Sequence, residues 1–164
     1  MDQPSAEDQV QLLRTIAAHR DYVRIGLQSI TQELERRALE HDVSKYSPDE
    51  FSGFARINKA AREHPYGSEE YKAGLRQEKP TIDLHYSRNR HHPEHHENPA
   101  ETMTFLDIIE MVCDWRSAWK TYGSQGTWRD NMKLQTEKLI YKLDGAQLWL
   151  MWQVSDWLQA LDAR

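Results

Sequence analysis

Apolar residues over most of this chain recur at three- and four-residue spacing, and no alternating strand pattern is read in it. A spacing of three to four stacks side chains on one face of an α-helix, whereas a strand needs a spacing of two. The chain is therefore confined to an all-α fold. From about Ala6 to Leu39 the series Leu12, Leu13, Ile16, Val23, Leu27, Ile30 and Leu34 predicts one long helix. Ser47-Pro48-Asp49-Glu50 predicts the start of the next, with a Ser cap, Pro at the first helical position and Glu closing a capping box. That helix carries Phe51, Phe54 and Ile57 and fades near His64-Pro65.

A short helix is expected from Ser68 to about Arg76, and another from Pro80 through His85 up to Pro93. The polar stretch from Pro93 to Met103 reads as a loop. Thr104 to Tyr122 reads as a helix stopped by Gly123 and Gly126. Thr127 caps a further helix to about Leu143, broken by Asp144-Gly145. The last helix, Ala146 to Leu161, carries Leu148, Trp149, Leu150, Met151, Trp152, Val154, Trp157 and Leu158 and is apolar nearly all round. Such a helix is expected to be buried, in the core or against a second copy in a homodimer. The sum is a single-domain helical bundle over residues 1–164, with six to seven helices.

Charge and cysteine usage narrow the class of protein. A net charge of -5 argues against a nucleic-acid binder that relies on a broad basic face. It leaves room for a small anionic ligand, because a local metal ion can outweigh the overall charge. The single cysteine, Cys113, permits no internal disulfide and suggests a reducing compartment, with the cytoplasm as the default. No apolar run approaches the roughly 18 residues that a membrane span needs, and the N-terminal residues do not resemble a signal peptide.

The histidines and carboxylates carry the chemistry. His19 follows Ile16 by three residues and precedes Val23 by four, so it shares the apolar face of the first helix. A lone histidine there is ordinarily a core residue, and it gains weight only as part of a set. His41-Asp42 closes the first helical pattern. His85, Asn89 and His92 stand at i, i+4 and i+7, which places them on one helical face. His91, His95 and His96 read as surface or surroundings. Asp107, Glu110 and Asp114 stand at i, i+3 and i+7 among apolar residues, a costly arrangement unless the carboxylates are paired or hold a cation. Thr104 and Asp107 fit a capping box, whereas Glu110 and Asp114 have no such role. Imidazole and carboxylate are the donors that Mn²⁺, Fe²⁺, Co²⁺ and Zn²⁺ accept, and carboxylate also suits Mg²⁺.

A histidine on a first helix, a His-Asp doublet after an apolar turn and a distant Asp on a later helix is the ligand order of the HD-domain phosphohydrolase superfamily. Ala38-Leu-Glu-His-Asp-Val-Ser-Lys45 resembles that family's core signature, and Cys113-Asp-Trp-Arg-Ser-Ala118 is similar to its final segment. The pattern of His41 to Lys45, His85 to His96 and Asp107 to Trp115 more closely resembles an uncharacterised family found in phages and bacteria. The resemblance spans roughly His19 to Ala118 and leaves out the Trp-rich end, residues 127–162. It implies an HD-like fold and a divalent metal held by His19, His41, Asp42 and Asp114, with Glu110 or Asp107 as alternatives for the last ligand. His85 or His92 would match extra histidines used for a second ion or for substrate phosphate.

The implied activity is hydrolysis of a phosphoester, most plausibly in a small nucleotide. Asp42 would hold the ion and orient the attacking water. Lys45, Arg88, Asn89 and Arg90 would receive the substrate, and His85 or His92 would act as general acid. Two rivals stand beside this expectation. One is a non-catalytic protein that sequesters a nucleotide. The other is an interaction module with a structural metal site, its Trp-rich helix docking on a partner.

Overall fold

The computed structural model describes residues 3–65, 67–122 and 126–162; Gly123, expected to stop a helix, lies outside them. Every regular element among the described residues is helical, so the fold is all-α as the periodicity requires. The chain divides into two compact units, Met1–Glu40 and His41–Arg164.

The first unit is one helix, α1 (Ala6–Glu40), of 35 residues. It is supported along its length by pairs three and four residues apart, Arg24 with Asp21 and Gln28, and Arg37 with Glu33. No residue of α1 is buried.

The second unit contains α2 (Pro48–Glu63), α3 (Glu69–Gln77), α4 (Lys79–Arg88), a single turn α5 (Pro99–Thr102), α6 (Phe105–Thr121), α7 (Trp128–Leu139) and α8 (Gly145–Leu161). The extra helix beyond the seven expected is α5, inside the stretch read as a loop. Two other boundaries differ. α4 ends at Arg88 rather than running to Pro93, and α7 ends at Leu139 rather than about Leu143. Helix starts follow the caps: Thr104 with Asp107, Thr127 with Asp130 and Asp144 with Gln147 each form a reciprocal capping box. Ser47 does not. Its side chain makes no cap bond, and Glu50 turns inward instead of closing the box.

The unit has two kinds of interior. Across α6, α7 and α8 it is apolar: Met103, Ile108, Met111, Val112, Trp128, Met132, Leu139, Leu143 and Met151 are buried together, with Trp115, Trp119 and Trp152 packed against them. α6 lies along α8, and Gln147 at the start of α8 donates to the carbonyls of Pro99 and Met103 at 3.1 and 2.9 Å, tying α5 to the bundle. α8 is not buried all round as its composition suggested. One face enters the core through Met151 and Ser155, while Trp149 and Trp157 remain largely exposed.

Around α2 and α4 the buried residues are instead Glu50, Gly53 and His85. Gly53 lets these helices approach closely, because a Cβ at that position would sit 2.7 Å from Thr81 Cβ. None of the described helices is long and apolar enough to cross a membrane.

Candidate metal centre

The site begins where α1 stops. Adjacent side chains inside a helix diverge by about 100°, so a His-Asp doublet within a helix could not grip one point. Here the helix ends at Glu40 and Asp42 adopts the left-handed conformation, φ 56° and ψ 15°, before a 3-10 turn over Val43–Tyr46. Asp is among the few residues that tolerate this region. The bend leaves His41 Nε2 3.6 Å from Asp42 Oδ2. Lys45, one turn on, donates to Asp42 Oδ2 at 2.5 Å.

His85 comes from the last turn of α4. Its Nδ1 lies 2.9 Å from Glu50 Oε2, while its Nε2 lies 3.2 Å from Asp42 Oδ1 and 3.1 Å from His92 Nε2. Glu50 is fully buried and also accepts from Ser44 Oγ at 2.9 Å and Arg88 Nη1 at 3.0 Å. Asn89, the C-cap of α4, donates to Ser44 Oγ and to the His85 carbonyl.

His91 and His41 share a second carboxylate. The Nδ1 atoms of both face Glu110 Oε1, at 3.2 and 3.0 Å. The other nitrogen of His41 lies 3.5 Å from Asp114 Oδ1, and that of His91 lies 3.6 Å from Asp42 Oδ1.

A single logic runs through the three imidazoles. Each has Nδ1 held by a carboxylate behind it and Nε2 turned to the same centre. A carboxylate on Nδ1 selects the tautomer whose Nε2 lone pair is free to bind a cation, and it raises that nitrogen's basicity. Among the described residues two groups have ligand atoms within 4.8 Å of one another: Asp42, His85, His91 and His92, and His41, His91 and Asp114. The donor chemistry fits a divalent ion. So does the satisfaction of polar groups: Asp42 Oδ1 and His91 Nε2 are buried without a hydrogen-bond partner, and an orphaned buried polar atom costs about 1–3 kcal/mol.

Protonation follows from these contacts. Asp114 and then Glu110 raise His41 from 6.5 to about 10. Burial acts to raise Asp42, but the His85 imidazole and the Lys45 ammonium beside it outweigh that and hold the carboxyl well below its usual range. Burial, followed by the imidazoles of His91 and His85, depresses His92 to about 3. Glu50 is likewise held low: burial opposes ionisation, and His85, Ser44 and Arg88 together overcome it.

The centre opens onto a cavity of about 540 Å³. His41, Asp42, His85, His92 and Asp114 line one side, and Phe54, Ile57, Tyr71, Tyr86 and Tyr122 line much of the rest. Lys45 is the only lysine or arginine among the described residues of its wall.

The expected residues divide accordingly. His41, Asp42, His85, His92 and Asp114 are brought together. Glu110 stands behind His41 and His91 rather than among the grouped ligand atoms, and Asp107 serves the α6 capping box, where Arg90 also pairs with it at 3.1 Å. Arg88 pairs with Glu50 and Asp49, so neither arginine lines the cavity in the substrate role expected of it. His19 is exposed on α1, and neither group of ligand atoms includes it.

Two residues were missed. Glu50 looked fully explained as a cap. His91 reads as surface or surroundings, and a helix running to Pro93 puts His92 on the His85 face. Pro93 itself was the available signal: proline drives the preceding residue out of the helical region, and His92 is indeed extended, at φ -87° and ψ 128°. His95 and His96 brace the loop through the carbonyls of Tyr86 and Arg90.

No curated protein and no solved structure matches the chain. A family model does match, over residues 8–160, nearly the whole length and every residue of this centre; the chain belongs to a family of unknown function, DUF5662.

Proposed function

We propose that the protein is a divalent-metal-dependent phosphohydrolase acting on a small nucleotide or a related phosphoester. The observation that carries this reading is the convergence of imidazole Nε2 atoms, each backed by a buried or half-buried carboxylate, on Asp42 and Asp114 beside an open cavity. Structural metal sites are closed, whereas catalytic ones keep a side accessible. The ligand order His-Asp then Asp, similar to that of HD-domain phosphohydrolases, supports the same chemistry.

A divalent ion bound here would lower the pKa of water toward neutrality and offset charge on phosphoryl oxygens. The residues to hold it are His41, Asp42, His85, His91, His92 and Asp114. Lys45 supplies a positive charge at the cavity wall for a phosphate oxygen, with its chain against Phe54, whose ring centre lies 4.7 Å from Nζ. His92, held neutral well below physiological pH, suits a ligand better than the general acid expected from its spacing. The aromatic wall of Phe54, Tyr71, Tyr86 and Tyr122 offers faces on which a nucleobase can stack. With Cys113 as the only cysteine, we place this activity in the cytoplasm.

The test is elemental analysis of the purified protein, followed by Mn²⁺ loading and incubation with mono-, tri- and cyclic nucleotides. Product release that disappears in Asp42→Asn supports the proposal. Metal and nucleotide binding without product would turn the reading to sequestration, and failure to retain any metal would refute it.

A further inference from the structure

The longest helix, α1, spans 35 residues and buries none of its side chains. In α1, Leu13, Leu27 and Leu34 recur at one heptad position, with Arg20 between them, and Ile16, Val23 and Ile30 recur three residues later in each repeat. Alternating steps of three and four, sustained through three heptads, are the pattern of a coiled-coil seam rather than of a helix lying on a globular core. The seam lies open: Leu13, Ile16, Val23, Leu27 and Ile30 are 44 to 65% exposed. Polar side chains off the seam are occupied along the helix itself, Arg24 with Asp21 and Gln28, Arg36 with Glu33.

We propose that α1 forms a coiled coil with α1 of a second copy of this chain. Three observations select that occupant. The heptad register specifies a helix of matching repeat as partner, and this chain carries one. At 35 residues the helix is long enough to make the pairing stable, since isolated helices shorter than about 12–15 residues are marginal in water. The five exposed seam residues form a continuous apolar stripe that pairing would bury, toward the roughly 800 Å² per partner of stable interfaces. Arg20 fits such a seam by laying its stem along the partner helix while its guanidinium reaches solvent.

The inference is independent of the metal reading. Its test is light scattering and hydrogen exchange on the full chain across a wide concentration range. The expected mass is at least two chains, falling to one in the double variant Ile16→Glu/Leu27→Glu with its metal content intact. Amides of residues 13–34 should exchange more slowly at high than at low concentration in the unmodified protein, a measurement that stands even if the variant fails to fold. A monomer at every concentration would overturn the proposal. So would protection of residues 13–34 that ignores concentration, which would mean that the seam is covered from within the same chain. An oligomer that survives the α1 variant but dissociates in Trp149→Glu/Trp157→Glu would assign the interface to α8 instead.

Discussion

The second unit holds two interiors built on opposite physics. Around α6, α7 and α8, Met111, Met132 and Met151 fill a dry core with no exposed area. Around α2 and α4, Glu50 and His85 are buried almost as completely, yet each is held by several hydrogen bonds. The first interior stabilises the fold through area removed from water. The second buries groups that prefer water, and its geometry is fixed by partners rather than by shape. The lesson is that burial in this protein has two meanings: a methionine at zero exposure reports stability, whereas an imidazole at the same depth reports a site.

That contrast can be broken from either side. The largest effect is expected at Asp42. Asn keeps the left-handed backbone and the shape but removes the charge, so Asp42→Asn should lower metal affinity by more than about 100-fold and abolish turnover while leaving the helical signal unchanged. Calorimetric titration with Mn²⁺ reads the first and circular dichroism the second. Unchanged affinity would mean that the polar interior is merely structural.

The apolar side should respond in the opposite way. Met132→Ala is expected to cost about 2–5 kcal/mol of stability, seen as a lowered denaturation midpoint, with metal affinity at folded temperatures unaltered. If metal binding fell in parallel, the two interiors would be one cooperative structure rather than two.

Smaller effects belong to the carboxylates behind the imidazoles. Glu50→Gln and Glu110→Gln keep volume but weaken the bonds that orient Nδ1, and each should reduce metal affinity by about 10- to 100-fold. An effect at Glu50 alone would show that His85 needs such support and that His41 and His91 do not.

The most modest change is a pH trend with a defined sign. The folded pKa of His41, about 10, lies above its ordinary 6.5. Its pairing with Asp114 and Glu110 therefore contributes stability that is complete below pH 6.5 and is lost as pH rises through 10. Metal binding must displace that proton, so affinity should rise over the same interval. Melting scans with a chelator and with Mn²⁺ should accordingly diverge, the chelated protein losing stability with pH and the metal-induced increment growing. Parallel curves would remove His41 from the ligand set.

How much of this was legible follows from the range of each interaction. Helices were legible because their signals are local: apolar spacing, and caps such as Thr104 with Asp107, lie within a few residues of one another. Boundaries governed by proline were partly legible: Pro93 marks a limit for α4 and restricts His92, but nothing local places the end at Arg88, the bend that brings His91 inward. The division of labour among carboxylates was not legible. Asp107, Glu110 and Asp114 look alike along one helix, and only packing makes the first a cap, the second a support for two histidines and the third a member of the cluster.

By itself the sequence determined an all-α chain, the approximate positions of its helix starts except that of α5, and the candidates His41, Asp42, His85, His92 and Asp114. Those properties depend on periodicity and residue chemistry, which are written in order along the chain. Tertiary structure alone decided that Glu50 leaves its cap position for His85, 35 residues away, that His91 turns inward, that Arg88 and Arg90 are taken by carboxylates, and that His19 stands on an exposed helix. The first three outcomes depend on which distant groups best satisfy a buried polar or charged atom, and no local spacing encodes that competition.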